Sequence, residues 1–528
     1  TASGGIKIIG ELKDFNGRQR WVYKDFEVDK ICLSGISFPG VDDLSGCINF
    51  FKDNSTYGSG FRGQVHVKFE NFNADLTAVA QFGRVGGSKY FFVDALVCGL
   101  SLQMGPITVK GLGGGVYHRM TRDSIGAGLP VCTGGAIPDS IGTSISGIHY
   151  TPDANKGLGL KLTIAMALPN EKAFNGNVTF EMLFNSSSEG GGISDAWIYG
   201  NARFMDAMNI HAPCGVGSPG QKPNGSAMSA NVDLHMDFNK KHFHGQLEVY
   251  LDAGFLKGSG PGNQLGFAEV SIKPGDWYIK IGKPFYGFGE DNRVGMDINV
   301  PVIGNIAGFR AYLQIGKNLD PMPPLPAHIL QLTGATDVSS LNQRSDLTGT
   351  GDGFIFGSEI NLGSKDYTFA IFKASLAAEL GFDISVLDYG SGATCTNLGG
   401  QQLGINGWYA QGQVWAGLDV ALGIRVKVFG GTKEFTILDM AAAMALQAKL
   451  PNPFWAQGAV GADYNLLGGL VKGHCDFQFT IGEICEIANA GNPYENVGII
   501  QLTNPTENQE VGTGKKPKIN FNFPIGEP

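Results

Sequence analysis

Three histidines and two aspartates stand within the eighteen residues NVDLHMDFNKKHFHGQLE, Asn231 to Glu248, of a chain with nine histidines in all. Imidazole and carboxylate groups that converge from adjacent strands can hold a divalent transition metal. A hairpin turning at Asn239-Lys240 would set Asp237 against His242, His235 against His244 and Asp233 against Gln246, with cross-strand Cβ atoms about 4.5–5.5 Å apart. His235, Asp237, His242 and His244 are therefore candidate metal ligands. The same register puts Val232, Leu234, Met236, Phe238, Phe243, Leu247, Val249 and Leu251 on the opposite face. Alternation alone thus accounts for the polar set as the solvated side of a hairpin. That reading outweighs a metal, because Asp–His pairs need no ion and nothing nearby in the sequence supplies the outer hydrogen bonds that fix a ligating ring.

A second set lies in GEDNRVGMD, where Glu290, Asp291 and Asp297 offer oxygen ligands from a glycine-rich loop, as calcium prefers. Asp346 and Asp352 in SDLTGTGDG are similar. Neither stretch has the spacing of a twelve-residue calcium loop, and Asp-Asn-Gly turns look the same without an ion. A third set is aromatic. Trp408, Tyr409, Trp415 and Trp455 fall near expected strand starts, where rings could stack on a glycan or a protein partner or pack in a core. No nucleophile elbow, zinc-protease helix motif or phosphate loop is present, and GTGKK at Gly512 lacks the glycine spacing of a phosphate loop. The expectation is a protein without enzymatic activity and without an obligatory cofactor, calcium or a transition metal being the alternatives.

The elements that must position these residues are strands, because the dominant period is two. Val65, Val67 and Phe69 alternate with Gln64, His66, Lys68 and Glu70, and Leu158, Leu160, Leu162, Ile164 and Met166 repeat the pattern. The longest run sets the apolar even positions from Ala370 to Val386 against Lys373, Ser375, Glu379, Asp383 and Ser385. Trp408–Val428 and Leu438–Leu450 continue it, either as unbroken strands or as strands bent at Gly417 and Gly423. A helix would scatter these residues around its circumference. The Phe-x-Gly-Gln/Asn phrase recurs at Phe61, Phe174 and Phe243 with unequal spacing, as in related hairpins of one sheet-rich body. The fold class expected is all-β: long antiparallel strands and hairpins in large twisted sheets, sandwich or roll-like, with few short helices and with their oily sides buried against each other.

Charged residues make up 16% of the chain, against about 25% in ordinary globular proteins. The net charge of −9 with no basic run leaves no footprint for nucleic acid. No apolar stretch is long enough for a membrane-spanning helix, which does not exclude a membrane barrel. The eight cysteines, Cys32, Cys47, Cys98, Cys132, Cys214, Cys395, Cys475 and Cys485, include no C-x-x-C pair. Cys32–Cys47 and Cys475–Cys485 are the nearest disulfide candidates, with scattered buried thiols as the alternative. Gly/Pro-rich breaks divide the chain into a β-rich region 1–213, a linker 214–228, a hairpin-rich region 229–320, a Pro-rich connector 321–345 with a short helix through AHILQL, a long-strand region 346–490, and 491–528.

The last thirty residues, IIQLTNPTENQEVGTGKKPKINFNFPIGEP, resemble the opening of a bacterial Ig-like domain, with Ile519, Phe521 and Phe523 as its alternating strand. An Ig sandwich needs about seven strands, so the resemblance implies a segment of a longer multidomain polypeptide. GLGLKLTIAMALPNEKAFNGNVTFEMLFN and FWAQGAVGADYNLLGGLVKGHCDFQFTIGEICEI resemble parts of very large exported proteins of the Bacteroidota that carry Ig-like modules. That resemblance implies a location outside the inner membrane, secreted or at the cell surface. The role expected is a structural or adhesive surface module, partnered by other surface proteins, by further copies or by glycans. Two alternatives are an envelope β-structure that embeds in the outer membrane or carries lipid, and a carbohydrate-binding or carbohydrate-active β protein.

Overall fold

The computed structural model describes residues 1–70, 74–122, 129–131, 140–145, 148–170, 173–205, 215–217, 227–301, 303–317, 319–336, 352–369, 371–428, 431–488, 500–504 and 518–521. Cys132, Cys214, Asp346, Gly512, Phe523 and most of 214–228 and 491–528 lie outside them. The chain divides into two compact units, Thr1–Gly275 and Asp276–Pro528.

The first unit is an antiparallel meander of β1 (Ala2–Phe15), β2 (Arg18–Phe38), β3 (Val41–Asn54), β4 (Gly58–Phe69), β5 (Ala74–Val85), β6 (Ser88–Met104), β7 (Ile107–His118), β8 (Lys156–Ala167), β9 (Asn175–Asn185), β10 (Ile193–Phe204), β11 (Met228–Asp237), β12 (His242–Ala253) and β13 (Gln264–Lys273). Each of these strands pairs with the next. Tight hairpins set the register. Asn16-Gly17 and Gly86-Gly87 both take positive φ, as the two-residue turns that match strand twist require.

The second unit holds β14 (Asp276–Ile281), β15 (Val294–Val300), β16 (Gly304–Gly316), α1 (Ala327–Thr333), β17 (Gly353–Phe369), β18 (Phe372–Asp388), β19 (Trp408–Val428), β20 (Gly431–Leu450), β21 (Trp455–Leu466) and β22 (Val471–Gly482). β14 and β15 pair in succession with β16, so they form one strand line interrupted by residues 282–293. From β16 to β22 the meander is again sequential. The all-β class with long antiparallel strands is what the structure shows. β19 runs unbroken through Gly417 and Gly423, with one register shift against β20 at Leu422/Gly423. The short helix after Pro326 is α1.

Burial runs opposite to the expectation that the oily sides would be hidden. On β18 the apolar even positions carry the exposure, with Leu376 and Leu380 52% and 56% exposed, while Asp383 and Ser385 on the other side are each 2% exposed. The same holds across neighbours. Leu162, Phe180 and Ile198 lie in register on β8, β9 and β10 and are exposed, whereas Lys161, Thr163, Thr179 and Glu181 between them are buried. On these strands the apolar face is bare and the polar face covered, whereas β1, β2 and β22 are largely exposed on both faces.

The cover is an insertion returned onto the polar face. Between β7 and β8, Met120, Ile145, Ile148 and Tyr150 pack with Phe92, Tyr117, Leu183 and Tyr199 of the strands. In the second unit, Leu325 and Ile329 pack on Trp415, Ala443 and Ala445. Small residues allow that approach: a Cβ at Gly461 would run into the Leu332 carbonyl, and one at Gly381 into the Trp415 indole.

Two disulfides are formed, Cys32–Cys47 and Cys395–Cys485. The first joins directly opposed residues of β2 and β3, as sequence proximity suggested. The pairing Cys475–Cys485 is corrected. β22 stays extended from Cys475 to Gly482, which at about 3.3 Å per residue puts Gly482 more than 20 Å from Cys475, farther than the three residues on to Cys485 can return. Cys485 instead meets Cys395, where Thr394 and Cys395 form a short ladder with Ile487 and Ala488, and Cys475 keeps an exposed thiol. Because the second bridge closes a separation of 90 residues, Cys395→Ser is expected to destabilise the second unit by about 2–5 kcal/mol. Denaturant unfolding of oxidised protein against the variant reads that loss, and identical midpoints would refute it.

Candidate functional site

The polar faces concentrate the chemistry. In the first unit Lys161 and Glu181 stand opposite each other in register on β8 and β9. The Lys161 ammonium turns to Asp94 at 2.7 Å, and both side chains are buried. Glu181 accepts hydrogen bonds from the hydroxyls of Tyr117 at 2.7 Å, Tyr150 at 3.0 Å and Tyr199 at 3.1 Å. The Arg122 guanidinium lies 3.7 Å from Glu181 and 3.7 Å from Asp233, over the rings of Tyr199 and Trp197. Burial opposes the Arg122 charge, but the surrounding groups, Glu181 foremost, outweigh it and raise the pKa. Burial and the Glu181 charge push the Tyr150 hydroxyl well above its ordinary range, so it remains a donor.

These groups also anchor the insertion. Gln81 accepts from the Gly142 amide at 2.7 Å, Arg62 donates to the Thr143 carbonyl at 2.8 Å, Asp94 accepts from the Ile145 amide at 3.2 Å and Tyr57 donates to the Tyr150 carbonyl at 3.0 Å. Buried backbone needs such partners, and side chains from the strand wall supply them.

The second unit repeats the device with amides. Asp383, Gln413, Gln447 and Gln457 form one cross-strand row on β18 to β21, all buried. Tyr312 and Gln413 each donate to Asp383 at 2.8 Å, and Gln413 also donates to the Pro323 carbonyl at 2.9 Å. Gln314 exchanges hydrogen bonds with Asp320, which pairs with Lys280 at 2.9 Å.

The structure places the histidine hairpin in the register read from the sequence: Asp237 opposes His242, His235 opposes His244 and Asp233 opposes Gln246. Its polar face is the covered side, with Asp233 buried, which corrects the expectation of a solvated side. Each ring has a separate partner. His235 hydrogen-bonds with Asp195 at 2.9 Å and stacks on Trp197, His242 bonds with Ser271 at 2.9 Å, and His244 with Glu269 at 3.4 Å. Asp237 is held by the amide and ammonium of Lys240. Among the described residues no group of three or more His, Cys, Asp or Glu side chains is placed to hold a metal.

Of the calcium candidates, Glu290 is exposed, while Asp291 and Asp297 face guanidinium groups. Arg293 donates to Asp291 at 2.9 Å and 3.0 Å and to Glu359 at 2.7 Å, and Arg310 donates to Asp297 at 2.8 Å and lies 3.4 Å from Asp291. Burial raises the Asp291 pKa, and the Arg293 hydrogen bonds and charge, with Arg310, outweigh it and hold the group below its ordinary 3.8. A carboxyl with a depressed folded pKa contributes stability above its unfolded value and loses it as pH falls through the folded one. Wild type is therefore expected to exceed Asp291→Asn in stability at pH 6, with the gap closing below about pH 3.8. Unfolding midpoints measured from pH 6 to pH 2 test this, and a gap independent of pH would contradict it.

Of the aromatic candidates, only Trp408 is open, at 41% exposure; Tyr409, Trp415 and Trp455 are buried. Tyr409 donates to the Pro453 carbonyl at 2.8 Å, and Trp415 packs under α1. The buried ionic groups Asp94, Arg122, Lys161 and Glu181 were missed in the sequence. For Asp94, Lys161 and Glu181 the signal was an ionisable residue on the polar side of a strand whose other side is chiefly apolar. Compared with known proteins, the chain matches no protein-family model and no curated sequence.

Proposed function

We propose that the chain is a non-enzymatic structural wall of a bacterial cell envelope, with the apolar strand faces in the hydrocarbon of an outer-membrane-type bilayer and the polar faces turned to an aqueous, partly filled interior. One observation carries this reading: large aliphatic and aromatic side chains are exposed on one side of successive strands, while Lys161, Glu181, Asp383 and Gln413 are buried on the other. Water alone disfavours that arrangement, because burying apolar area is the main driving force of folding. In lipid it is the stable one, and strands that alternate apolar outward and polar inward are its signature. A spanning strand needs about 9–11 residues, which β5 to β9 and β16 to β22 supply. No helix among the described residues is long and apolar enough to cross a membrane. The two disulfides suit an oxidising compartment outside the inner membrane.

This favours the lipid-facing expectation over a water-soluble adhesion module. Membranes containing the expressed chain are predicted to keep it through carbonate and urea washes and to release it, folded and resistant to protease, only into detergent. Recovery of folded monomer in detergent-free buffer would overturn the reading.

A further inference from the structure

The bare face of the first unit carries a row of rings near one end. Phe50, Phe61, Phe82 and Phe91 stand opposite one another in register on β3 to β6, with successive ring centroids 6.4, 5.3 and 5.7 Å apart. His118 of β7 extends the row, 6.0 Å from Phe91. Phe50, Phe61 and Phe82 are 42%, 40% and 38% exposed. Away from the turn the same face of β5 continues with the uncharged Ala80, Ala78 and Leu76. Toward the turn, one step beyond the rings, Arg84 and Lys89 oppose each other across the Gly86-Gly87 hairpin. Both are exposed, and neither side chain makes an ion pair or hydrogen bond among the described residues. Lys52, two residues beyond Phe50, is by contrast engaged by Glu27 at 3.6 Å. Like charges directly opposed on a ladder, with Cβ atoms about 4.5–5.5 Å apart, destabilise the pair. An anion between them replaces one repulsion with two attractions, and a phosphate matches the guanidinium fork.

We propose that Arg84 and Lys89 hold the phosphate of an anionic membrane lipid whose acyl chains lie over the phenyl row and the aliphatic rows behind it. A free phosphate would answer the two charges and leave the rings bare. Aromatic side chains collect where headgroups meet hydrocarbon, and the order here is turn, cations, rings, aliphatic groups, which is the order of a lipid from headgroup to chain. Charge makes the preference diagnostic. At a net charge of −9 the chain as a whole is repelled by an anionic surface, so attraction to one must come from local cations. The inference rests on the reading of the apolar face as lipid-facing and adds to it the charge class of the lipid and the level at which the first unit sits.

The test folds the full chain from urea into vesicles of phosphatidylcholine and into vesicles of equal parts phosphatidylcholine and phosphatidylglycerol, and measures the protease-resistant fraction that floats with each. Wild type favours the phosphatidylglycerol vesicles. Arg84→Gln/Lys89→Gln still enters phosphatidylcholine vesicles in protease-resistant form, but its preference for phosphatidylglycerol falls about thirtyfold, as two interfacial cations should give. Lys240→Gln, at a turn where the cation already pairs with Asp237, keeps the preference. Calorimetric titration of the detergent-solubilised wild type with inorganic phosphate alone shows no saturable binding. The proposal is overturned if wild type enters both vesicles equally, if the double variant keeps the preference, if Lys240→Gln loses it as fully, or if inorganic phosphate binds saturably. Wild type that floats with neither vesicle sinks the lipid-facing reading itself, and this inference with it.

Discussion

Glu181→Ala is expected to lower the stability of the first unit by about 3–5 kcal/mol, the range for removing one partner of a buried ion pair. The residue accepts from three tyrosine hydroxyls and faces Arg122, so its loss strands the guanidinium with Asp233 alone and leaves three buried donors unanswered. Glu181→Gln keeps the shape and one acceptor oxygen and should cost less, which separates lost charge from lost volume. Urea unfolding of the three proteins in the same detergent gives the comparison. A loss under about 1 kcal/mol for alanine would mean that the polar face is hydrated and that the packing of Tyr117, Tyr150 and Tyr199 around Glu181 is not what holds the insertion.

The second large effect concerns the other face. Leu380 lies at the middle of β18 and is more than half exposed. Were that face in water, Leu380→Arg would change stability by no more than about 0.5 kcal/mol, as surface substitutions do. In a bilayer an arginine at mid-depth on the lipid side of a strand costs about 2–4 kcal/mol. Folding the wild type and Leu380→Arg into phospholipid vesicles from urea distinguishes the two, and the larger value is expected. Leu376→Arg, four residues nearer the strand end, should cost less, since the penalty falls with distance from the midplane.

The pairing of His235 with His244 was readable in the sequence because alternation fixes which side chains share a face and a short turn fixes the register. Alternation made β19 readable as strand but left open whether it bends at Gly417 and Gly423, which the structure resolves as one unbroken strand. Which face would be covered was not readable, because a period of two is symmetric: it separates Leu376 and Leu380 from Asp383 and Ser385 without saying which row meets protein. The cue that could have decided it was chemical. The apolar rows set large aliphatic and aromatic groups among alanines with no charge, whereas the opposite rows mix glycine, alanine, serine and glutamine with a few charges and single aromatics such as Trp415, as a surface does when another segment must rest on it.

Connections across long separations were illegible on physical grounds. Cys395 finds Cys485 because the segments beyond β18 and β22 meet, and nothing in either local sequence encodes that. Arg310 reaches Asp291 and Asp297 from the neighbouring strand, so a loop that reads as a cation site on its own is already occupied by guanidinium groups. Trp415 and Tyr409 read equally as ligand-stacking rings or as packed ones, because aromatics near strand starts fit both rim and core. Burial came from α1 and from the segment around Pro453, which alternation cannot place.

On the proposed reading, lipid meets the apolar face. Single nitroxide labels on cysteines introduced one at a time from Leu376 to Val386, in protein folded into vesicles, test it most directly. Collision with oxygen is expected to peak at the even positions while a water-soluble nickel complex fails to reach them, with the odd positions shielded from both. Even positions open to nickel and closed to oxygen would contradict it.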